Sequence, residues 1–200
     1  MSEMPPLELN LKASQGSETF RIPAPKIGLW AFLATATFLF SMLFSAYLGD
    51  IGHMGMPGWR SLPMPWVLWV NTVLLLLSSV ALQWAWIAVR RGHEGGLRFA
   101  MLTAGVLAAL FVLGQLEVWR QLSAAGVFLA TNPISSFFYL ITALHGLHVL
   151  GGLVAWGRTM GKTWKGIYTA QNHLGVELCA IYWHFLLLAW LVMFSLIWFT

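Results

Sequence analysis

Five apolar stretches without a single charge dominate this chain: Ile27 to Leu48, Trp66 to Val89, Phe99 to Leu116, Pro133 to Trp156 and Leu178 to Phe199. An α-helix rises about 1.5 Å per residue, so about 20 residues cross the hydrocarbon core of a bilayer. Four stretches have that reach as they stand, and the third gains it when Leu97 to Val118 is admitted. Soluble cores are built from shorter, periodic apolar runs. Only 9% of the 200 residues are charged and 58% are hydrophobic, whereas about 25% charge is usual in a soluble domain. The pattern predicts an all-α integral membrane protein. It is a five-helix transmembrane bundle, helices near 27–48, 66–89, 97–118, 133–156 and 177–199, forming one domain over 27–200.

Residues 1–26 hold Pro5, Pro6, Pro23 and Pro25 among polar and charged residues, with no apolar signal core. They read as a polar N-terminal tail, not a cleavable signal peptide. Pro63 and Pro65 ahead of Trp66, and Asn132 followed by Pro133, mark helix starts. Short loops of about 10 to 20 residues leave no room for a soluble domain. Basic residues segregate by side: Lys12, Arg21 and Lys26, then Arg90, Arg91 and Arg98, then Arg158, Lys162 and Lys165, against Arg60 and Arg120 opposite. Basic loops stay in the cytoplasm, which predicts a cytoplasmic N-terminus and a C-terminus outside. The net charge of +4 is thereby a topological signal and implies no nucleic acid. Trp30, Trp59, Trp66, Trp119, Trp156, Trp164 and Trp198 fall near predicted helix ends, where amphipathic rings anchor at the interface. The one cysteine, Cys179, excludes an internal disulfide, a Cys-rich zinc site and a paired-thiolate redox centre.

An ionisable group inside a membrane costs roughly 2.5 to 3.5 kcal/mol, so each needs a partner or a purpose. The candidates are His145, His148, Glu177 and His184, with Glu117 and Arg120 near the outer end of helix three. His145 and His148 share one face of helix four, with Gly152 below them and Gly151-xxx-Ala155 admitting a close neighbour. Glu177, Ile181, His184, Leu188 and Ser195 form a matching stripe on helix five. His148 lies about 13 Å and His184 about 9 Å from the inner end, so the two are predicted to meet. Such a pair is either a bis-histidine haem site or proton relay, or a set of neutral imidazoles bonding across a helix contact. In the second reading His145, His148 and His184 tie helices four and five together, with Tyr182 and Trp183 alongside. Glu117 and Arg120 read as a local ion pair. Glu177 is expected to pair with the basic groups of the loop holding Lys162, Lys165 and His173, and His173 with Glu177 forms a candidate proton-buffering rim. Gly105-xxx-Ala109 is a packing pattern without functional content.

The literal strings say more. Phe137-Phe138-Tyr139-Leu140-Ile141-Thr142-Ala143-Leu144-His145-Gly146-Leu147-His148-Val149, then Gly151-Gly152, resembles the "FF-x-L-T-G-x-H-G-L-H-V" signature of subunit III of haem-copper cytochrome oxidases. Glu177, then Tyr182-Trp183-His184-Phe185 and Trp190, resemble that family's "E…YWHF…W" block, and Tyr168 to His173 fits the loop before it. Gly28 to Tyr47, and Gln115 with Glu117-Val118-Trp119, resemble two earlier helices. The likeness spans Ile27 to Phe199 and is to the five-helix form of the family. Two carboxylates of the family's pattern are replaced: the acid after the Ser/Thr falls on Ala36, following Thr35, and the aspartate of the last block falls on Leu187.

The resemblance implies a non-redox accessory subunit of a haem-copper terminal oxidase, which reduces O2 to water and translocates protons. Such a subunit has no active site, metal or cofactor of its own. It stabilises the catalytic subunit and supports proton uptake. Haem and copper would sit in the partners, subunit I and subunit II, within a bacterial plasma membrane whose lipid is the other contact. A haem-copper centre needs about six histidines on several helices, and a dicopper site needs two thiolates. Only three histidines lie within the spans. The alternatives are an accessory subunit of a nitric-oxide-reductase-type complex, or a small bis-His b-type cytochrome.

Overall fold

A computed structural model of the chain describes residues 23–54, 65–128 and 133–199. Five helices fill them: α1 (Ala24–Met54), α2 (Val67–Arg90), α3 (Glu94–Ala124), α4 (Pro133–Trp164) and α5 (Leu174–Phe199). Each is long and apolar enough to cross a membrane. Lys12, Arg21, Trp59, Arg60, Pro63 and Asn132, and with them most of the tail, lie outside the described residues.

The helices outrun the apolar stretches that predicted them. α1 and α3 have 31 residues each and α4 has 32, because polar residues at a span's ends sit in the interface and let the hydrogen-bond ladder continue. At the start of α3 Glu94 and Arg98 pair at 3.5 Å, one helical turn apart. The connection between α2 and α3 is accordingly much shorter than expected, only Arg91, Gly92 and His93. Gly92 takes φ 71°, a left-handed conformation that closes α2 and that a side chain disfavours.

Consecutive helices run in opposite directions. Lys26 at the start of α1 meets Glu177 at the start of α5, while Tyr47 late in α1 meets Phe137 at the start of α4. Lys26, Arg90, Arg91, Arg98, Arg158, Lys162 and Lys165 therefore share one end, and Arg120 lies toward the other. α2 and α3 form the closest pair. Their shared faces carry small residues, Ala81, Ala85 and Ala88 against Ala100, Ala104 and Ala108, all buried, and small side chains let two backbones approach where lipid supplies no hydrophobic drive. α4 and α5 close the bundle, and α1 lies outside it, packed on α4 and α5.

Candidate functional site

Inside a bilayer no water is at hand for an N–H group, so each buried indole and hydroxyl must find its partner within the protein. Four tryptophans do so across helix contacts. Trp183, fully buried, donates Nε1–H to Ser78 Oγ at 2.8 Å, and Ser78 donates in turn to the Ala104 carbonyl at 2.8 Å. That relay links α5, α2 and α3. Trp190 donates to Thr72 Oγ1 at 2.9 Å, and Trp119 donates to Thr142 Oγ1 at 3.1 Å. Trp156 donates to the Met101 carbonyl at 2.8 Å, with its indole laid over Gly105, where a Cβ would collide with the ring. Trp119 and Trp156 are thus ties between helices, not interfacial anchors. Trp30, Trp66, Trp164 and Trp198 stay exposed.

The histidines are not brought together as the sequence predicts. His145 is buried among the rings of Phe40, Phe111 and Trp190, and neither ring nitrogen has a hydrogen-bond partner. His148 Nδ1 donates to the Leu144 carbonyl of its own helix at 2.8 Å, while its ring lies against Phe32 and Phe40 of α1, centroids 5.9 and 5.4 Å away. His184 faces the other side of α5. Its Nδ1 meets Ser79 Oγ at 2.5 Å and its Nε2 meets Gln83 Oε1 at 2.9 Å, both on α2. The gap opens because α5 turns Tyr182 and Trp183 toward α4, and at about 100° per residue the next position faces away. A Cβ at Gly152 would press on both of those rings, and the Tyr182 hydroxyl donates to the His148 carbonyl at 2.9 Å. Helices four and five are therefore joined by Gly152, Tyr182, the His148 backbone and the His145 ring against Trp190, with no imidazole hydrogen bond between them among the described residues. The expected stripe of Ile181, His184, Leu188 and Ser195 is the outer edge of α5; the buried face carries Val176, Cys179, Ala180, Trp183, Leu186 and Trp190.

At the basic end Glu177 takes a different partner from the one expected. Lys26 Nζ of α1 donates to its Oε1 at 2.6 Å. His173 Nδ1 donates to the Ala170 carbonyl at 2.8 Å, and its Nε2 has no partner among the described residues. His173 also begins α5, its carbonyl accepting from the amides of Val176 and Glu177. Between them and α4 lies Tyr168, whose hydroxyl rests on Gly175 so closely that a Cβ there would collide. Burial raises the Tyr168 phenol above its ordinary pKa, a shift that a hydrogen bond with Thr159 opposes. A groove of about 670 Å³ opens beside this rim between α1, α4 and α5, with Phe32, Gly151, Ala155, Arg158, Lys162 and Tyr182 along it. Gly151 and Ala155 thus line a groove, and Gly152 makes the helix contact. Glu117 and Arg120 pair through two hydrogen bonds of 2.8 and 3.0 Å.

Several of these residues carried no signal of charge. Ser78, Ser79, Asn71 and Gln115 are buried polar groups in apolar helices, and Asn71 Nδ2 donates to Gln115 Oε1 at 3.4 Å. A polar residue inside an apolar block was the available clue, since it too needs a partner. Among the described residues no three His, Cys, Asp or Glu side chains converge where a metal ion would be held.

The described residues form a helical bundle tied by indoles, with most of its basic groups at one end and its histidines apart. The sequence profile of the family "Cytochrome c oxidase subunit III" matches residues 12–200. The chain is 32% identical over 176 residues to the cytochrome c oxidase subunit 3 of Thermostichus vulcanus, covering 86% of this chain and 85% of the other. It is 30% identical to the probable cytochrome c oxidase subunit 3 of Mycobacterium tuberculosis, covering 86% of each. The cytochrome bo(3) ubiquinol oxidase subunit 3 of Pseudomonas aeruginosa is 29% identical over 85% of this chain and 82% of its own. This multi-pass membrane chain belongs to the cytochrome c oxidase subunit III family and has the role of a haem-copper oxidase subunit III.

Proposed function

We propose that the chain is the non-redox accessory subunit of an O2-reducing oxidase in a bacterial plasma membrane, seated against the catalytic subunit I, with subunit II in the same complex. Haem and copper belong to those partners. The observation that carries this reading is the use of the polar groups: the indoles of Trp119, Trp156, Trp183 and Trp190, with Ser78 and Tyr182, are spent on ties between helices. His148 of α4 faces α1 and His184 of α5 faces α2. A bis-His b-type cytochrome would need those two rings on one side. The relatives' names are oxidase names, which favours the O2 branch over a nitric-oxide-reductase-type complex. The basic end, by the retention of basic loops, is the cytoplasmic one, with the N-terminus inside and the C-terminus outside.

His173 and Glu177 would buffer protons at that rim. His173 offers an Nε2 that has no partner among the described residues. Glu177 keeps an acceptor oxygen beside the Lys26 ammonium. Membrane lipid is the expected neighbour of the groove flanked by Arg158 and Lys162. A tagged chain extracted in mild detergent should bring down haem-bearing partners and show no visible absorption when separated from them. A Soret band from the solitary polypeptide would overturn the reading. Within the complex, His173→Ala with Glu177→Gln should slow proton uptake at high turnover while the haem spectrum is unchanged. Uptake equal to that of the unmodified complex would remove the rim from the proposal.

A further inference from the structure

Most amide and imidazole side chains within the spans are turned inward or, like Gln121, bonded on their own helix, and two, Gln83 and His184, are not. Asn71, Gln115 and His145 are buried and His148 is half-buried. His184 is exposed and Gln83 is half-buried beside it, on the outer seam of α2 and α5. Hydroxyls on other outer faces, such as Thr35 and Thr37, return their protons to their own helix's carbonyls four residues back, so they need nothing from outside. The carboxamide has no such recourse. Ser79 donates to His184 Nδ1, His184 Nε2–H donates to Gln83 Oε1, and the Gln83 Nε2 protons have no acceptor among the described residues.

Depth makes this unusual. Counting from Arg90 on α2 and from Glu177 on α5, both side chains sit about 10 Å inside the basic end, within hydrocarbon. A free amide donor facing acyl chains there is disfavoured. Around it the seam is aliphatic, with Leu76 43%, Val80 58%, Leu188 61% and Val192 46% exposed. From Phe99 to Leu113 the outer face of α3 is just as apolar, with Phe99, Leu102, Val106, Leu110 and Leu113 exposed, yet that stretch of it carries no amide or imidazole. Lipid suffices for the second face and does not satisfy the first.

We propose that the α2–α5 seam centred on Gln83 and His184 is the surface on which a transmembrane helix of a partner oxidase subunit seats, an oxygen of that helix accepting from Gln83 Nε2–H. This rests on the accessory-subunit reading above. The partner is recognised by its chemistry: an apolar helix with one hydroxyl, carboxamide or free backbone carbonyl about 10 Å from the basic end. The Ser79–His184–Gln83 relay holds the amide in place and polarises it.

The test uses the assembled complex, purified through a tag on this chain. A photo-crosslinking amino acid at Val80 or at Leu188 should attach to a partner subunit, and the same group at Leu113 only to lipid. Gln83→Leu should lower retention of the partners in detergent by about threefold, the loss of one interhelical hydrogen bond in a membrane, while the helical content of the chain stays unchanged. Gln83→Met, which keeps the length of the side chain and removes the outward donor, should behave like Gln83→Leu. Lipid adducts alone from Val80 and Leu188 in an intact complex would overturn the proposal, as would crosslinks to a second copy of this chain. If no partner accompanies even the unmodified chain, the accessory-subunit reading fails, and the proposal falls with it for that separate reason.

Discussion

α1 and α5 have spans of 26 residues each and near-equal hydropathy, 1.9 and 2.0, yet 17% of the most apolar part of α1 is buried against 44% of α5. The means of attachment differ as much. α5 is fixed by directed hydrogen bonds, Trp183 to Ser78, Trp190 to Thr72 and His184 to Ser79 and Gln83. Among the described residues α1 is held chiefly by rings and an ion pair: Phe32 on His148 and Tyr182, Phe40 on His145 and His148, Tyr47 on Phe137, and Lys26 on Glu177. Aromatic contacts tolerate sliding, whereas a hydrogen bond sets depth and rotation together. Hydropathy therefore decides that a helix inserts, and polar pairing decides how tightly it is then located. Among the described residues, directed hydrogen bonds tie α5 to α2, whereas α1 is attached chiefly through its rings.

The contrast can be broken most forcefully inside the bundle. Gly105→Leu would drive a side chain into the Trp156 indole and should cost about 3 kcal/mol by overpacking, read as a fall in the melting temperature of the detergent-solubilised protein. An unchanged melting temperature would mean that α3 and α4 are not in contact there. Ser78→Ala removes an acceptor from the buried Trp183 and a donor from the Ala104 carbonyl. An orphaned buried N–H costs about 1 to 3 kcal/mol, so a loss near 2 kcal/mol is expected in the same measurement. Ser78→Thr, which keeps the hydroxyl, should recover much of it.

Phe40→Ala tests the other side. It should cost only about 1 kcal/mol, since acyl chains replace much of the lost contact. Hydrogen exchange should quicken in α1 and stay slow in α2–α5; equal quickening in both regions would show α1 to be as integral as the rest. The smallest effect is expected of Ala36→Glu. Ala36 is buried one turn from both Phe32 and Phe40, the rings that face His148. Because His148 Nδ1 donates to Leu144, its Nε2 lone pair is left to accept from a protonated carboxyl at residue 36. The single variant should change stability by less than about 1 kcal/mol, and Ala36→Glu with His148→Ala should lose about 2 kcal/mol more, as a polar group buried without a partner does. Identical losses from the two would separate residue 36 from His148.

How much of this was legible follows from what each feature depends on. The spans were readable because burial of backbone polar groups in lipid admits only helices, and about 20 apolar residues meet that need whatever the neighbours are. The i,i+3 pair of Glu117 and Arg120 was readable because one helix holds both. Placing His148 opposite His184 failed because depth along two axes was inferable and rotation about them was not. Expecting Glu177 to pair with Lys162 or Lys165 failed likewise: Lys26, 151 residues away in sequence, is nearer in space once α1 packs on α5.

The sequence alone determined the number of spans, their order, the segregation of basic residues to one end and the family signatures of α4 and α5, all of which reside in local composition and helical period. The tertiary structure alone decided which face of each helix is inside. That choice made Trp156 a tie over Gly105, dispersed the three histidines, and left Gln83 and His184 on the outside. It is set by small residues and directed hydrogen bonds between helices far apart in the chain, because in a bilayer apolar side chains are nearly as well solvated by lipid as by protein.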